Sequence, residues 1–396
     1  CALPIYTGGS LTLSNIILDG SDVEIKDNGG IIKMEKKTSL TVNSGVTLTR
    51  GRANSGGAVY GAAGVTVTIN SGSTFTGNYA TESNGGGAIC LGGNYTKETG
   101  ESTQTLKGTS TLTVTGARFS GNHASAGNGG AIRTCEATSV TLTNCTFTEN
   151  TAQNQGGAIL VLSKNLENVR STLTIDGGTF TKNSAEGDGG VARIGGGGTM
   201  TVRGNVTMGG SDENANTAAN GGALAAAGTI SIESANVSIS HNTASSTGAA
   251  VYVEAGAVLN MSAGFIESNK SDGGAVSVGS KTSNDVTSYG TLNFSGTARV
   301  TGNTAENAGT PMNVYMDYTS LGVINSSGLD STAEIGVYVT GNASTDPYKG
   351  HGQATQPFGT FTGTNNLQNF VSDRDSRLFG VAGTGSSIIW CGIKVE

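Results

Sequence analysis

The sequence predicts an all-β chain, folded as a single right-handed parallel β-helix with a C-terminal capping region. Three observations carry that reading. First, Phe-x-x-Asn recurs at Phe75–Asn78, Phe119–Asn122, Phe147–Asn150 and Phe180–Asn183, and Ile239–Asn242, Ile266–Asn269 and Val300–Asn303 keep the frame with an aliphatic lead. Second, Gly-Gly-Ala recurs at Gly56, Gly86, Gly129, Gly156, Gly221 and Gly273, with weaker forms at Gly189 and Gly248. Copies lie from about 25 to about 43 residues apart, the regime of solenoids. Third, apolar runs are about ten residues or less, Thr stands between the apolar positions, and no helical periodicity appears.

Stacking the copies gives columns. Two residues after the first Gly come Ala58, Ala88, Ala131, Ala158, Val191, Ala223, Ala250 and Ala275, almost always small. The next column is always apolar: Val59, Ile89, Ile132, Ile159, Ala192, Leu224, Val251, Val276. The one after has no chemical preference: Tyr60, Cys90, Arg133, Leu160, Arg193, Ala225, Tyr252, Ser277. Neighbouring side chains on a strand face opposite sides. The apolar column is therefore expected inside and the mixed column in solvent.

The Phe column is bulky and apolar, so its members should stack in the core. Gly77, Gly121, Glu149, Lys182, His241, Ser268 and Gly302, between lead and Asn, read as solvent positions. The Asn is expected at a corner, where it tolerates left-handed dihedrals. Its amide is also expected to hydrogen-bond the Asn one coil away, as in cross-β ladders. Gly-Gly allows a further sharp turn where a Cβ would clash.

Composition bounds the function. Of 396 residues 64 are Gly and only 4 Pro, and 13% are charged, so turns depend on Gly and Asn. The net charge of −7, with 22 scattered basic residues, gives no electrostatic footprint for nucleic acid or an anionic membrane. No apolar run reaches the ~18 residues of a membrane-spanning helix. Strand rhythm begins early, at Leu11–Leu18, Val23–Lys26 and Leu40–Thr49. Cys1 stands where a lipidated residue would, but Leu3-Pro4-Ile5-Tyr6 leads straight into strand pattern, so a fragment or processed terminus is the reading.

Two insertions break the rhythm, near 92–110 and 163–171. Solenoid insertions project from one face and often meet partners. Tyr95, Lys97 and Lys107 in the first are the candidate ligand contacts. Residues 1–303 are read as repeats and 304–396 as last coils and cap, because an open coil edge needs covering.

The repeated Gly-Gly-Ala-(Ile/Val/Leu) with Phe-x-x-Asn resembles the passenger domains of the chlamydial polymorphic outer-membrane proteins. That resemblance implies a surface-exposed adhesin built as a right-handed β-helix. The later stretch is similar to large repetitive surface proteins of anaerobic Gram-positive gut bacteria, through Thr301–Ala305, Asn313–Tyr315, Ala333–Val337 and Ser372-Asp373. Departures are that no membrane barrel segment or wall-sorting motif follows.

An enzyme is the rival, since polysaccharide lyases and pectin hydrolases share this fold class. They need converging carboxylates and an Arg or Lys base. Here the acidic residues recur in no column, and Leu160 lies between Arg133 and Arg193. His123, His241 and His351 have no partner nearby in sequence. Glu186–Gly190 resembles a calcium nonapeptide but does not repeat, and Gly195–Gly198 lacks the Lys-Ser/Thr of a phosphate loop. The five Cys show no metal spacing. No catalytic residue, metal or cofactor is therefore expected. The function read is a non-catalytic, exported bacterial surface protein, an adhesin or stalk whose partner is a host-cell surface or glycan. The alternatives are a subunit joining end to end into a fibre and a polysaccharide-active enzyme. About 11 coils at ~4.8 Å each would make a shaft roughly 50–55 Å long.

Overall fold

The computed structural model describes residues 2–92, 109–164, 170–283, 286–307, 309–316, 323–339 and 367–373, and as backbone alone 95–96, 105–106, 359–362, 377–381 and 387–393. The chain winds into a parallel β-solenoid of about ten turns, with no α-helix among the described residues. One turn shows the plan. Ser110–Thr115 and Arg118–Ser120 form a long first face, His123–Ala124 a short second face and Ile132–Thr134 a third. The next turn repeats it with Thr138–Thr148, Thr151–Ala152 and Ile159–Val161. Pairing is parallel and in step, with Leu112 opposite Val140, Phe119 opposite Phe147, Ala124 opposite Ala152 and Ile132 opposite Ile159. The count falls below the expected 11 because hairpins and loops lengthen several turns without adding any.

Alternation fixes what lies inside. On the first face Leu40, Val67, Leu112, Val140, Leu173, Met200 and Ile230 stack inward, all but fully buried. Thr41, Thr68, Thr113, Thr141, Thr174 and Thr201 alternate with them on the outside, half-buried. A β-branched, uncharged side chain suits a position that meets its own kind every coil. Phe75, Phe119, Phe147 and Phe180 form a continuous ring stack, with centroids 4.8, 4.7 and 5.3 Å apart and planes within 10° of parallel. Burying each such ring contributes about 2–3 kcal/mol.

The Asn column is a hydrogen-bond ladder. Each Nδ2 donates to the Oδ1 of the Asn one turn on, at 2.9–3.0 Å, from Asn78 through Asn122, Asn150, Asn183, Asn216, Asn242 and Asn269 to Asn303, whose own Nδ2 donates at 2.8 Å to Asn313, ten residues further along the same turn. The same Oδ1 also accepts the preceding Asn's main-chain N–H, and a second Nδ2 bond reaches the carbonyl of the Phe-column residue behind, as from Asn150 to Phe119. Asp373 ends the ladder by accepting both the N–H and Nδ2 of Asn313, each at 2.7 Å.

One expectation about this corner is corrected. The left-handed residue is not the Asn but the one before it: Gly77, Gly121, Glu149, Lys182, His241, Ser268 and Gly302 have φ between 56° and 66°. The turn there frees the Asn side chain to point inward along the axis. The Gly-Gly corner works as expected, with the two residues doing different jobs. Gly129 takes φ +63°, whereas a Cβ on Gly130 would lie 2.1 Å from the carbonyl oxygen of Gly157 in the next turn.

At the C-terminal end Val314–Met316, Val323–Leu329 and Glu334–Val339 continue the parallel stack, and Gly359–Thr362 and Phe370–Ser372 pair onto it. Arg377–Val381 and Ser387–Ile393 instead pair antiparallel, so the parallel winding stops there.

Candidate functional site

The third face departs from expectation. Its outer column was expected in solvent, yet Cys90, Arg133, Leu160, Ala225 and Ser277 are at most 9% exposed, while Tyr60, Arg193 and Tyr252 are half-buried. The third-face strands are only three residues long, so the corners on either side crowd their centres. On one side the Gly-Gly corner folds back until a Cβ on Gly129 would lie 2.9 Å from the Arg133 Cβ. Asn128, Gln155, Asp188 and Asn220 line that side. Gln155 N–H donates to Asn128 Oδ1 at 3.2 Å, and Asp188 accepts from Gln155 Nε2 and Asn220 Nδ2 at 3.3 and 2.9 Å. The column is thus a sunken line of side chains running across the turns.

On the other side lies the corner that carries the insertions. The first leaves after Ile89–Leu91 and returns at Ser110. Within it Tyr95–Thr96 pairs antiparallel with Thr105–Leu106. Lys97, Lys107 and the side chain of Tyr95 lie outside the described residues. Ser110 secures the return, donating to the Gly92 carbonyl at 2.9 Å and accepting from the N–H of Gly64 at 3.1 Å. The second insertion follows Ile159–Val161, and its base is closed by Ser171 N–H donating to Ser163 Oγ at 3.0 Å. A third, not anticipated from sequence, follows Val276–Val278 as an antiparallel hairpin of Ser280–Ser283 with Val286–Tyr289. All three leave from this same corner.

The two arginines of the sunken column have different surroundings. Arg193 is held between Asp188, 3.6 Å from its Nε, and Glu254, which accepts from Nη2. Glu254 sits two turns on, and the column's intervening residue is the small Ala225. Arg133 lies between thiols, its Nη1 3.8 Å from Cys90 Sγ and 3.2 Å from Cys135 Sγ. Burial pushes the Cys90 thiol up to about 11 despite that guanidinium. Burial likewise raises the phenols of Tyr60 and Tyr252. Cys135 is two residues after Arg133, so the two share the outward side of the chain. Glu254 was missed because 61 residues separate it from Arg193.

The histidines do not join this face. His123 is on the second face, tilted against Tyr79 with centroids 4.9 Å apart and hydrogen-bonded to Thr151 Oγ1, and burial holds its pKa low. His241 occupies a left-handed corner, and His351 lies outside the described residues. Among the described residues no three His, Cys, Asp or Glu side chains gather as a metal site. Glu186–Gly190 contributes Asp188 to the Arg193 ion pairs instead.

Fold and site together define a parallel β-solenoid repeat protein with one sunken face and, among the described residues, three insertions leaving from one corner beside it. Residues 72–92 and 144–161 match the Chlamydia polymorphic membrane protein repeat. Each matched segment runs from the Phe column, at Phe75 and Phe147, through the ladder Asn to the third-face strand. The chain thus carries repeats of this chlamydial kind, as the resemblance implied. No curated protein and no solved structure matches it.

Proposed function

We infer that this chain is a non-catalytic, exported bacterial surface protein, a β-helix stalk or adhesin that presents one corner to a partner on a host-cell surface or glycan. The observation that supports this most is that three insertions among the described residues leave from the one corner at the edge of the sunken face. A repeating scaffold supplies stiffness, and loops at one edge supply variety for recognition. The likeness to the Chlamydia polymorphic membrane protein repeat supports the surface location. Arg193, spent on Asp188 and Glu254, is no free base, and Arg133 has thiols rather than carboxylates beside it.

Deleting Gly93–Gly108 tests the reading. The melting temperature should stay within a few degrees of the parent's, because the segment lies outside the paired turns, while attachment to host cells should be lost. Undiminished attachment would make the insertion decoration. Incubation with pectins, host glycans and bacterial polysaccharides, with and without calcium, should release no new chain ends. Turnover abolished by replacing Arg133 or Arg193 would put the enzyme first.

A further inference from the structure

We propose that Arg133 is an oxyanion-binding residue on the sunken face, and that its ligand is the carboxylate or sulfate of a linear acidic polysaccharide. Arg133 as a residue is nine-tenths buried, and its Nε–H is fully buried with no acceptor among the described residues. Its Nη1 meets only the two thiols, which are weak acceptors. Among the described residues its Nη2 has no acceptor, and it is not fully buried. Other described arginines short of full exposure have carboxylates. Arg52 meets Glu24 at 3.6 Å, Arg193 meets Asp188 and Glu254, and Arg299 meets Glu334 at 3.7 Å. Arg133 alone among these has none. A buried cation without a counter-charge is strongly unfavourable, and an oxyanion reaching Nη2 supplies both charge and acceptor.

The surroundings narrow the class of ligand. Half-buried Tyr60 stands two turns before Arg133, ~10 Å away along the axis. Apolar Leu160 is one turn beyond, and the Asn128 and Gln155 amides form the side. A sugar chain, with an apolar ring face, a hydroxyl rim and one acidic group, matches that line. An extended peptide fits poorly. The strands flanking Arg133 are paired to turns on both sides, so no free edge exists to receive a peptide's main chain. The role of this ligand rests on the surface-contact reading above; the site itself does not.

The test uses the whole chain with polygalacturonate, which carries carboxylates, heparin, which adds sulfates, and neutral dextran. Titration calorimetry should show binding of at least one acidic polymer and none of dextran. Affinity should fall at least tenfold in Arg133→Met and by less in Arg133→Lys. In the unaltered protein, the bound polymer should slow iodoacetamide alkylation of Cys135 at least tenfold, read by peptide mass spectrometry. That measurement stands even if Arg133→Met fails to fold. Equal affinity of Arg133→Met and parent, or no protection of Cys135, overturns the assignment. Polyglutamate binding as tightly as either polysaccharide overturns the glycan class. Loss of polymer binding in Arg133→Met with cell attachment intact upholds the site and overturns its part in the surface contact instead.

Discussion

Removing one rung of the ladder is the sharpest test of what holds the turns in register. Asn183 donates through Nδ2 to Asn216 Oδ1 and to the Phe147 carbonyl, both at 3.0 Å. Its Oδ1 accepts the N–H of Asn150 at 3.1 Å and the Nδ2 of Asn150 at 2.9 Å. Asn183→Ala deletes all four. The amides of Asn150 and Asn216 each keep a second partner, at Phe119 and at the Asn183 main chain. The Asn150 N–H loses its partner inside the core, while the Phe147 carbonyl keeps its strand pairing to the next turn. At ~1–3 kcal/mol for that orphaned donor and ~0.5–1.5 kcal/mol for the bond lost at Phe147, the cost should be roughly 2–4 kcal/mol. Asn70→Ala is the control, because it removes a similar Nδ2-to-Oδ1 bond to Asn43 at 2.8 Å, on a half-buried rung. It should cost under ~0.5–1 kcal/mol. Asn183→Asp keeps the acceptor and loses the donor, so its destabilisation should be largest at neutral pH and shrink in acid, where a protonated carboxyl can donate again. Urea unfolding followed by circular dichroism reads the cost, and faster hydrogen exchange at the Asn150 amide locates it. Equal midpoint shifts for Asn183→Ala and Asn70→Ala would refute the ladder as a source of stability.

Other perturbations separate the remaining columns. Phe119→Ala should cost ~3–5 kcal/mol, as large core truncations do, and Glu149→Ala under ~0.5 kcal/mol; equal thermal shifts would mean the columns are misassigned. Cys90, with its thiol pushed up to about 11, should resist iodoacetamide at pH 8 in the folded chain and react only in urea, so rapid native labelling would show that the third face is open. Asp373 has its carboxyl pKa raised, mainly by burial, so the folded state holds that proton more tightly than the unfolded chain. Stability from this group is therefore present in acid and lost as pH rises through the folded value. Asp373→Asn, which extends the ladder without charge, should raise the neutral-pH melting temperature and flatten that dependence; a lower melting temperature would count against it.

Much of this fold is legible in the sequence because a solenoid repeats each physical demand. The Phe119 and Val59 columns must be apolar in nearly every turn, and the ladder Asn has few substitutes, so both show as periodic letters. Legibility fails where the repeat is interrupted or where a contact spans turns. Asn216 escaped notice because its turn runs from Met208 through a short 3-10 turn, Asp212–Asn214, before rejoining the ladder. The hairpin after Val278 has strand-like residues that read as more of the repeat. The outer column of the third face looked unconstrained because its neighbours, not its own chemistry, bury it. The pairing of Arg193 with Glu254 leaves no local trace.

The ladder also has a direction. Every side-chain amide donates toward the C-terminal end, from Asn78 to the carboxylate of Asp373, and the main-chain amide of Gly51 feeds the first Oδ1 at 3.0 Å. Each rung therefore offers its neighbours the same two faces, an acceptor behind and a donor ahead. A stretch of gene encoding one whole turn can be duplicated or lost by recombination, and the rungs on either side of the join still meet acceptor to donor. Only a change at the terminal Asp373 alters how the series ends. Shaft length is in this sense a heritable variable that the hydrogen bonding itself leaves free.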